Sequence, residues 1–300
     1  PPPLGAAMGR PDSARGAVRT DAGGVASSAA VASAFEENPN AGKIQPGTHT
    51  LLLGMSAKDA VARLVANDSR VETKITIPEG YTVKQILERS SSVTGISVAE
   101  FEAAMADTAA TGLPAEANGN YEGWLYPTTY VLEPGDVTAT GIIQGMVSQT
   151  TSELAELGVA PERFQEVLTM ASIVEWEGKN AEQRQKVARV IYNRIEDGMP
   201  LGMDAIDVYG LGKPAGQITT EEFQNPDLPY ASRVHKGLPP TPIGSPSRES
   251  VEAVLNAPEG PWLWYVTVNL DTGETKFTDK YAEFEQFKQE YRQWLEENEG

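Results

Sequence analysis

The run Met170-Ala-Ser-Ile-Val-Glu-Trp-Glu-Gly178 constrains this chain more than any other stretch, because it puts two carboxylates at the end of a helix that can only face inward. At about 100° per residue, Phe164, Val167, Leu168, Ala171 and Val174 fall on one stripe, and Met170 and Ile173 carry the apolar surface round most of the circumference. A helix apolar nearly all round is buried. Glu175 then projects from the middle of the main stripe and Glu177 lies beside Met170 and Ile173, so neither occupies an ordinary solvated face. Burial disfavours the charged form of a carboxylic acid and raises its pKa, the condition a general acid needs near neutral pH. The bland reading is a solvated or salt-bridged pair, and periodicity does not choose between Glu175 and Glu177.

With 40% hydrophobic residues, the 300-residue chain has material for one large core or two modest ones. Its formal net charge of −18, with no dense Lys/Arg run, excludes nucleic acid as a partner. It favours a neutral or cationic partner, or simply solubility. There is no cysteine, hence neither a disulfide nor a thiolate metal site. A Ser/His triad or a zinc site would rest on His49 and His235 alone; the first lies in a strand pattern and the second in a loop, and neither is assigned to catalysis. No run approaches the roughly 18 to 20 apolar residues that cross a bilayer. The chain as given reads as soluble, and its start at Pro1 rather than Met points to a leading segment outside it.

Residues 1 to about 24 are rich in Pro, Gly and Ala without periodicity, so 1–42 reads as a disordered arm or linker with one short helix ending before Asn38-Pro39. From Lys43 the texture changes. Thr48 to Leu53 reads as a strand, Ser56-Ala-Lys-Asp59 as a capped helix start, and a polar break at Asn67-Asp68-Ser69 precedes an alternating strand over 72–77. Pro78-Glu-Gly80 turns the chain into a helix from Thr82, and Ser97-Val-Ala-Glu100 caps a third. Tyr121 to Tyr130 holds three Tyr and one Trp, which suits a sugar ring beside a carboxylate or, equally, an aromatic core strand.

Helices are expected over 137–157 and from Pro161. Asn180-Ala-Glu-Gln183 resembles a capping box, opening an amphipathic helix through Val187, Val190 and Ile191 that stops at Asp197-Gly198. The last two helices make a hairpin with Glu175 and Glu177 at its corner. Between Pro200 and Pro246 lies an irregular region holding Asp204, Tyr209 and Tyr230, and so long a loop in a compact domain marks a binding surface. Pro246 opens another helix, 262–269 and 274–278 read as a hairpin across Asp271-Thr-Gly273, and a polar helix over 281–296 closes the chain.

Together rather than singly, these motifs resemble the endolytic murein transglycosylases, the YceG-like family. The residues that carry the resemblance are Ile77-Pro-Glu-Gly80, Glu122-Gly-Trp-Leu-Tyr-Pro127, Ala171-Ser-Ile-Val-Glu-Trp-Glu177, Val187 to Arg194 ending in Asn-Arg, Asp204 with Tyr209, Pro229-Tyr230, and Gly237-Leu-Pro-Pro240 through Pro246. They run in the family's order over roughly 43–297. The resemblance implies an α+β fold: a small LysM-like module at 43–108, then a mixed α/β catalytic domain at 119–297 whose buried helical hairpin carries the catalytic Glu. It also implies that the second Glu of the Glu-x-Glu pair, Glu177, is the acid. Glu175 is then assigned to orienting the site or to a buried hydrogen bond, and Glu122, Asp204 and Tyr230 to holding substrate. Departures from the family pattern stand at Thr128, Gly202, Ala231 and Ser247, in segments expected to line substrate, and at Trp176, where a basic residue is usual.

The implied reaction is non-hydrolytic cleavage of the β-1,4 bond between N-acetylmuramic acid and N-acetylglucosamine within peptidoglycan strands. It leaves 1,6-anhydro ends, terminates nascent glycan elongation, and needs no metal or cofactor. The implied partners are peptidoglycan glycan strands and a cell-wall synthase. Family members carry an N-terminal membrane anchor, absent from these 300 residues, that holds them at the extracytoplasmic face of the bacterial cell membrane. Two other readings stay open: a peptidoglycan-binding module that has lost catalysis, motivated by Thr128, Ala231 and Ser247, and a hydrolytic muramidase leaving reducing ends.

Overall fold

The computed structural model describes residues 4–8, 19–20, 28–44, 47–52, 54–66, 73–132 and 137–298. The fold is mixed α+β, many helices with three small sheets, and the chain forms two compact units. One runs from the N terminus to Ile75 and includes 93–95 and 129–138; the other comprises the rest. Among the described residues, no helix is long and apolar enough to cross a membrane.

In the first unit, β1 (Leu4–Met8) lies between β2 (Arg19–Thr20) and β3 (Gly47–Leu51), antiparallel to both. Part of the expected irregular arm is therefore strand; the pairing uses backbone groups of a small-residue segment that no side-chain alternation betrays. The remainder of 1–24, and the break at Asn67-Asp68-Ser69, lie outside the described residues. α1 (Ser28–Glu37) packs on α2 (Ala57–Ala66). The expected cap of α2 is present: Ser56 Oγ accepts the Asp59 N–H at 3.1 Å. Ala60 and Leu64 bury against Leu51, and β4 (Thr73–Thr76) pairs with β5 (Thr129–Leu132).

The second unit begins with α3 (Val83–Thr94), α4 (Val98–Met105) and α5 (Thr108–Thr111), followed by the long α6 (Ala139–Glu156). Phe101 is buried, and α4 and α5 pack on α6. Residues 121–128 form turns rather than a strand, with Tyr121 and Trp124 buried. Trp124 Nε1 donates to Gln165 Oε1 at 2.9 Å. These two rings are core, which removes them as a surface for sugar.

At the centre is α7 (Phe164–Glu177), buried from Val167 through Val174 as its all-round apolar pattern requires. It packs against α8 (Ala181–Glu196), α9 (Asp204–Leu211) and α11 (Arg248–Leu255). Gly178 makes the α7–α8 corner, and a Cβ there would stand 2.5 Å from Arg184 Cγ and 2.8 Å from Arg184 Cα, so only glycine lets α8 return this closely. The Asn180 side chain then caps α8 by accepting the Gln183 N–H at 3.0 Å.

The region expected to be loop between Pro200 and Pro246 contains α9 and the short α10 (Thr220–Phe223). Neither is long enough for a helical period to stand out, and glycines at 210 and 212 disguise the end of α9. β6 (Trp264–Asn269) and β7 (Glu274–Thr278) form the expected antiparallel hairpin, and α12 (Tyr281–Asn298) ends the chain. The Asn-Arg end of α8 fixes the lead into β6. Asn193 Nδ2 donates to the carbonyls of Gly260 and Trp262, both at 2.9 Å, and Arg194 Nε to that of Leu263 at 2.7 Å. The carbonyls of this irregular backbone are thus satisfied by side chains, while the Leu263 N–H donates to the Thr278 carbonyl at 2.9 Å.

Candidate active site

The end of α7 organises the site. Glu175 turns toward the start of α11, where its carboxylate accepts the Ser247 N–H at 2.9 Å, the Ser250 hydroxyl at 2.7 Å and the Ser247 hydroxyl. Arg184 Nη2 pairs with it at 3.0 Å from across the Gly178 corner. Ser247 is the N-cap of α11, so the carboxylate also meets the positive end of that helix dipole. One cation and three donors hold Glu175 in a single position.

Glu177 has sparser company. Tyr265 of β6 donates its hydroxyl to Oε2 at 2.8 Å, and the Ala205 N–H in the first turn of α9 reaches Oε1 at 3.4 Å. Burial pushes the Glu177 carboxyl above its ordinary value; the Tyr265 and Ala205 bonds pull it down, the negative charge of Asp204 pushes it up again, and burial wins. Burial and the neighbouring Glu177 charge likewise push the Tyr265 phenol well up, so it stays a donor. The residue as a whole remains partly open to solvent. An enclosed carboxyl whose affinity for its proton is raised, and which is still reachable, is suited to donate that proton.

Asp204 is 54% exposed at its side chain and pairs with Arg233 Nη2 at 2.7 Å. Arg233 also binds the buried Asp207, which takes the Ser232 N–H at 2.9 Å and its hydroxyl at 2.7 Å. Glu122 and Tyr230 belong to a second cluster, joined through Tyr209. The Tyr209 hydroxyl donates to Glu122 Oε2 at 3.0 Å, its ring meets Tyr230 edge-on at 5.2 Å, and Tyr230 Oη lies 2.8 Å from Thr241 Oγ1. Glu122 is 5% exposed and accepts the Val83 N–H of α3 at 3.0 Å. Burial pushes its carboxyl up to about 7 against the Tyr209 and backbone hydrogen bonds. Its hydrogen bonds hold α3 and Tyr209 rather than reach outward.

Of the residues expected at the site, the fold thus gathers Glu175, Glu177 and Asp204 round the end of α7 and places Glu122 and Tyr230 together round Tyr209. Sequence reasoning missed Tyr265, Arg184 and Ser250. Tyr265 is 88 positions from Glu177 in a strand without a motif of its own, so no spacing could have found it. Arg184, nine residues past Glu175 across a tight corner, was the findable one. Among the described residues, no three His, Asp or Glu are grouped to hold a metal ion.

A model of the YceG-like family matches residues 17–290. The chain belongs to that family. It is 29% identical over 265 residues to a Bacillus subtilis protein named endolytic murein transglycosylase, covering 82% of this chain and 73% of the relative. It is 28% identical over 256 residues to a protein of the same name from Streptococcus pneumoniae, covering 74% of this chain but only 46% of that longer relative. Among solved structures it resembles a YceG-like protein of Listeria monocytogenes, with a TM-score of 0.62 and 25% identity over 87% of this chain and 90% of the other.

Within this YceG-like chain, the departures at Ala231 and Ser247 are buried, at 3% and 1% exposure. Ser247 instead serves Glu175 and α11. The Thr128 carbonyl accepts the Ile77 N–H at 2.9 Å, and Gly202 donates to the Ser232 carbonyl at 2.8 Å with φ +54°.

Proposed function

We propose that this protein is a peptidoglycan lytic transglycosylase that cuts the β-1,4 bond between N-acetylmuramic acid and N-acetylglucosamine within glycan strands, with Glu177 as its acid and base. The observation that carries the reading is the state of the Glu177 carboxyl: enclosed, raised in pKa, bonded only by neutral donors, and still partly open. The names of the B. subtilis and S. pneumoniae relatives support the substrate class.

In the first step, Glu177 gives its proton to the glycosidic oxygen as the C1–O bond breaks and an oxocarbenium-like state develops. The carboxylate left behind is met by the Tyr265 hydroxyl and the Ala205 N–H. It then takes the proton of the muramyl 6-hydroxyl, whose oxygen bonds to C1 and closes the 1,6-anhydro ring. The nucleophile is already tethered to the sugar, which removes the entropy cost of bringing in water. Hydrolysis by two carboxylates would need a second one free to activate water, and Asp204, the carboxylate acting on Glu177, is engaged by Arg233.

The same reading makes the enzyme a terminator of nascent strands working beside a cell-wall synthase at the extracytoplasmic face of the cell membrane, with a LysM-like glycan-binding segment at 43–108. Its test is mass spectrometry of muropeptides released from purified peptidoglycan. Internal fragments with 1,6-anhydro-muramic ends are expected from the protein and not from Glu177→Gln. Reducing ends would mean hydrolysis, and binding without fragments would mean a binding module.

A further inference from the structure

Trp176 stands between the anchored Glu175 and the acid Glu177, and it is 57% exposed on a helix whose residues from Val167 to Val174 are all buried. The other four tryptophans are buried or half-buried. A large apolar ring left open beside a candidate site offers a face to a ligand.

The ring is also held in place. Its Cε2, Nε1 and Cζ2 atoms lie 3.6 to 3.7 Å from the position a Cβ would take on Gly80, and Nε1 lies 3.5 Å from that on Gly244. Those two backbones are locked together: Gly80 donates to the Ser245 carbonyl at 2.8 Å and Ser245 to that of Tyr81 at 2.9 Å. A Cβ on Gly244 would come within 2.6 Å of the Gly80 carbonyl oxygen, so glycine is what lets the segments close against the indole. One part of the ring is backed by rigid main chain and the rest faces solvent. Such an aromatic loses little side-chain freedom when something covers it.

The chemistry beside the ring says what would cover it. Glu79, next to Gly80, is exposed, and it feels the negative charges of Glu175 and Glu249 against the positive charge of Arg184, a balance that stays negative. An anionic group is repelled there. A neutral ring with an apolar C–H face for the indole and hydroxyls for a carboxylate acceptor is matched. We propose that Trp176 is the stacking platform for an N-acetylglucosamine ring adjoining the bond on which Glu177 acts. This rests on the glycan-cleaving reading above.

The test is calorimetric binding of a peptide-free tetrasaccharide of alternating N-acetylglucosamine and N-acetylmuramic acid to Glu177→Gln protein, alone and combined with Trp176→Phe or Trp176→Ala. Aromatic stacking of ordinary strength makes Trp176→Ala about tenfold weaker and Trp176→Phe about threefold weaker. In the active protein, Trp176→Ala raises KM by the same factor and leaves kcat within about twofold, as loss of uniform binding does. An unchanged dissociation constant in a Trp176→Ala protein that melts normally overturns the platform, and so does a Glu177→Gln parent that fails to bind the tetrasaccharide. Weaker binding by Trp176→Ala supports it even if the wild type cuts nothing, an outcome that would sink the reaction alone. Inactive Glu177→Gln with indifferent Trp176→Ala would sink the platform alone.

Discussion

Glu175 and Glu177 leave the same helix end two residues apart, and their surroundings are opposites. Glu175 has a guanidinium, three hydrogen-bond donors and a helix N-terminus directed at it. Glu177 has one phenol and one distant amide, with the charge of Asp204 working against its ionisation. Burial is common to both and so does not by itself make an acid. What separates the two is the supply of donors: where it is rich, a buried carboxylate becomes a fastening, and where it is poor, burial holds the carboxyl above its ordinary value.

The comparison breaks most directly by removing each carboxylate in turn. Glu177→Gln keeps shape and hydrogen bonding but not proton transfer, so cleavage should fall by about 10²- to 10⁴-fold, with the thermal melt essentially unchanged. A folded Glu177→Gln protein that still releases muropeptides would end the assignment. Glu175→Ala strands Arg184 and two serine hydroxyls in a buried position, and stability should drop by about 3 to 5 kcal/mol, read from denaturant unfolding. Should Glu175→Ala unfold like the wild type while losing activity, Glu175 would be chemistry and the two roles would be reversed.

Glu122 sharpens the contrast from a third position, since it too is buried without a cation. Its folded pKa of about 7 lies above the ordinary 4.5, so the native state binds this proton more tightly than the unfolded chain does. The contribution to stability is therefore full below about pH 4.5 and is lost as pH rises through about 7. The gap between the two values corresponds to about 3 kcal/mol at most. Glu122→Gln should remove this part of the pH dependence, melting lower than or level with the wild type at pH 4.5 and above it at pH 8. Parallel melting curves across that range would place the neutralising partner elsewhere.

The all-round apolar pattern of α7, the Asn180 cap, the β6–β7 hairpin and the closing helix were legible in the sequence because each is a local matter of periodicity, capping or turn chemistry. The resemblance carried the choice of Glu177, and the geometry supplied a physical basis for it. What stayed hidden was whatever depends on distant segments meeting: Tyr265 reaching Glu177, Ser247 reaching Glu175, and Tyr209 bridging Glu122 and Tyr230. The aromatic run at 121–130 left sugar contact and core packing both open for the same reason, and its Tyr121 and Trp124 are core. Composition placed rings beside a carboxylate, but only packing could reveal that Trp124 faces Gln165 and the core while Trp176 faces water.

Tyr265 and Ser247 give the smaller tests, one on each side of the comparison. Tyr265→Phe deletes the best donor to Glu177, and because that bond favours the charged form, its loss raises the Glu177 pKa further. The acid works while protonated, so the alkaline limb of the kcat/KM profile should move to higher pH. The rate on the plateau should fall about tenfold, as the carboxylate formed on proton donation has lost a partner. A limb moving to lower pH would mean that Tyr265 serves the neutral acid. Ser247→Gly restores the residue usual in the family and removes only one of the donors to Glu175, for the Ser247 N–H, Ser250 and Arg184 stay. Glycine is nearly as good an N-cap, so the loss should be about 1 kcal/mol, with turnover within about twofold. If Ser247→Gly cost as much as Glu175→Ala, a single hydroxyl would be fastening the carboxylate and the count of donors would not be what distinguishes it from Glu177.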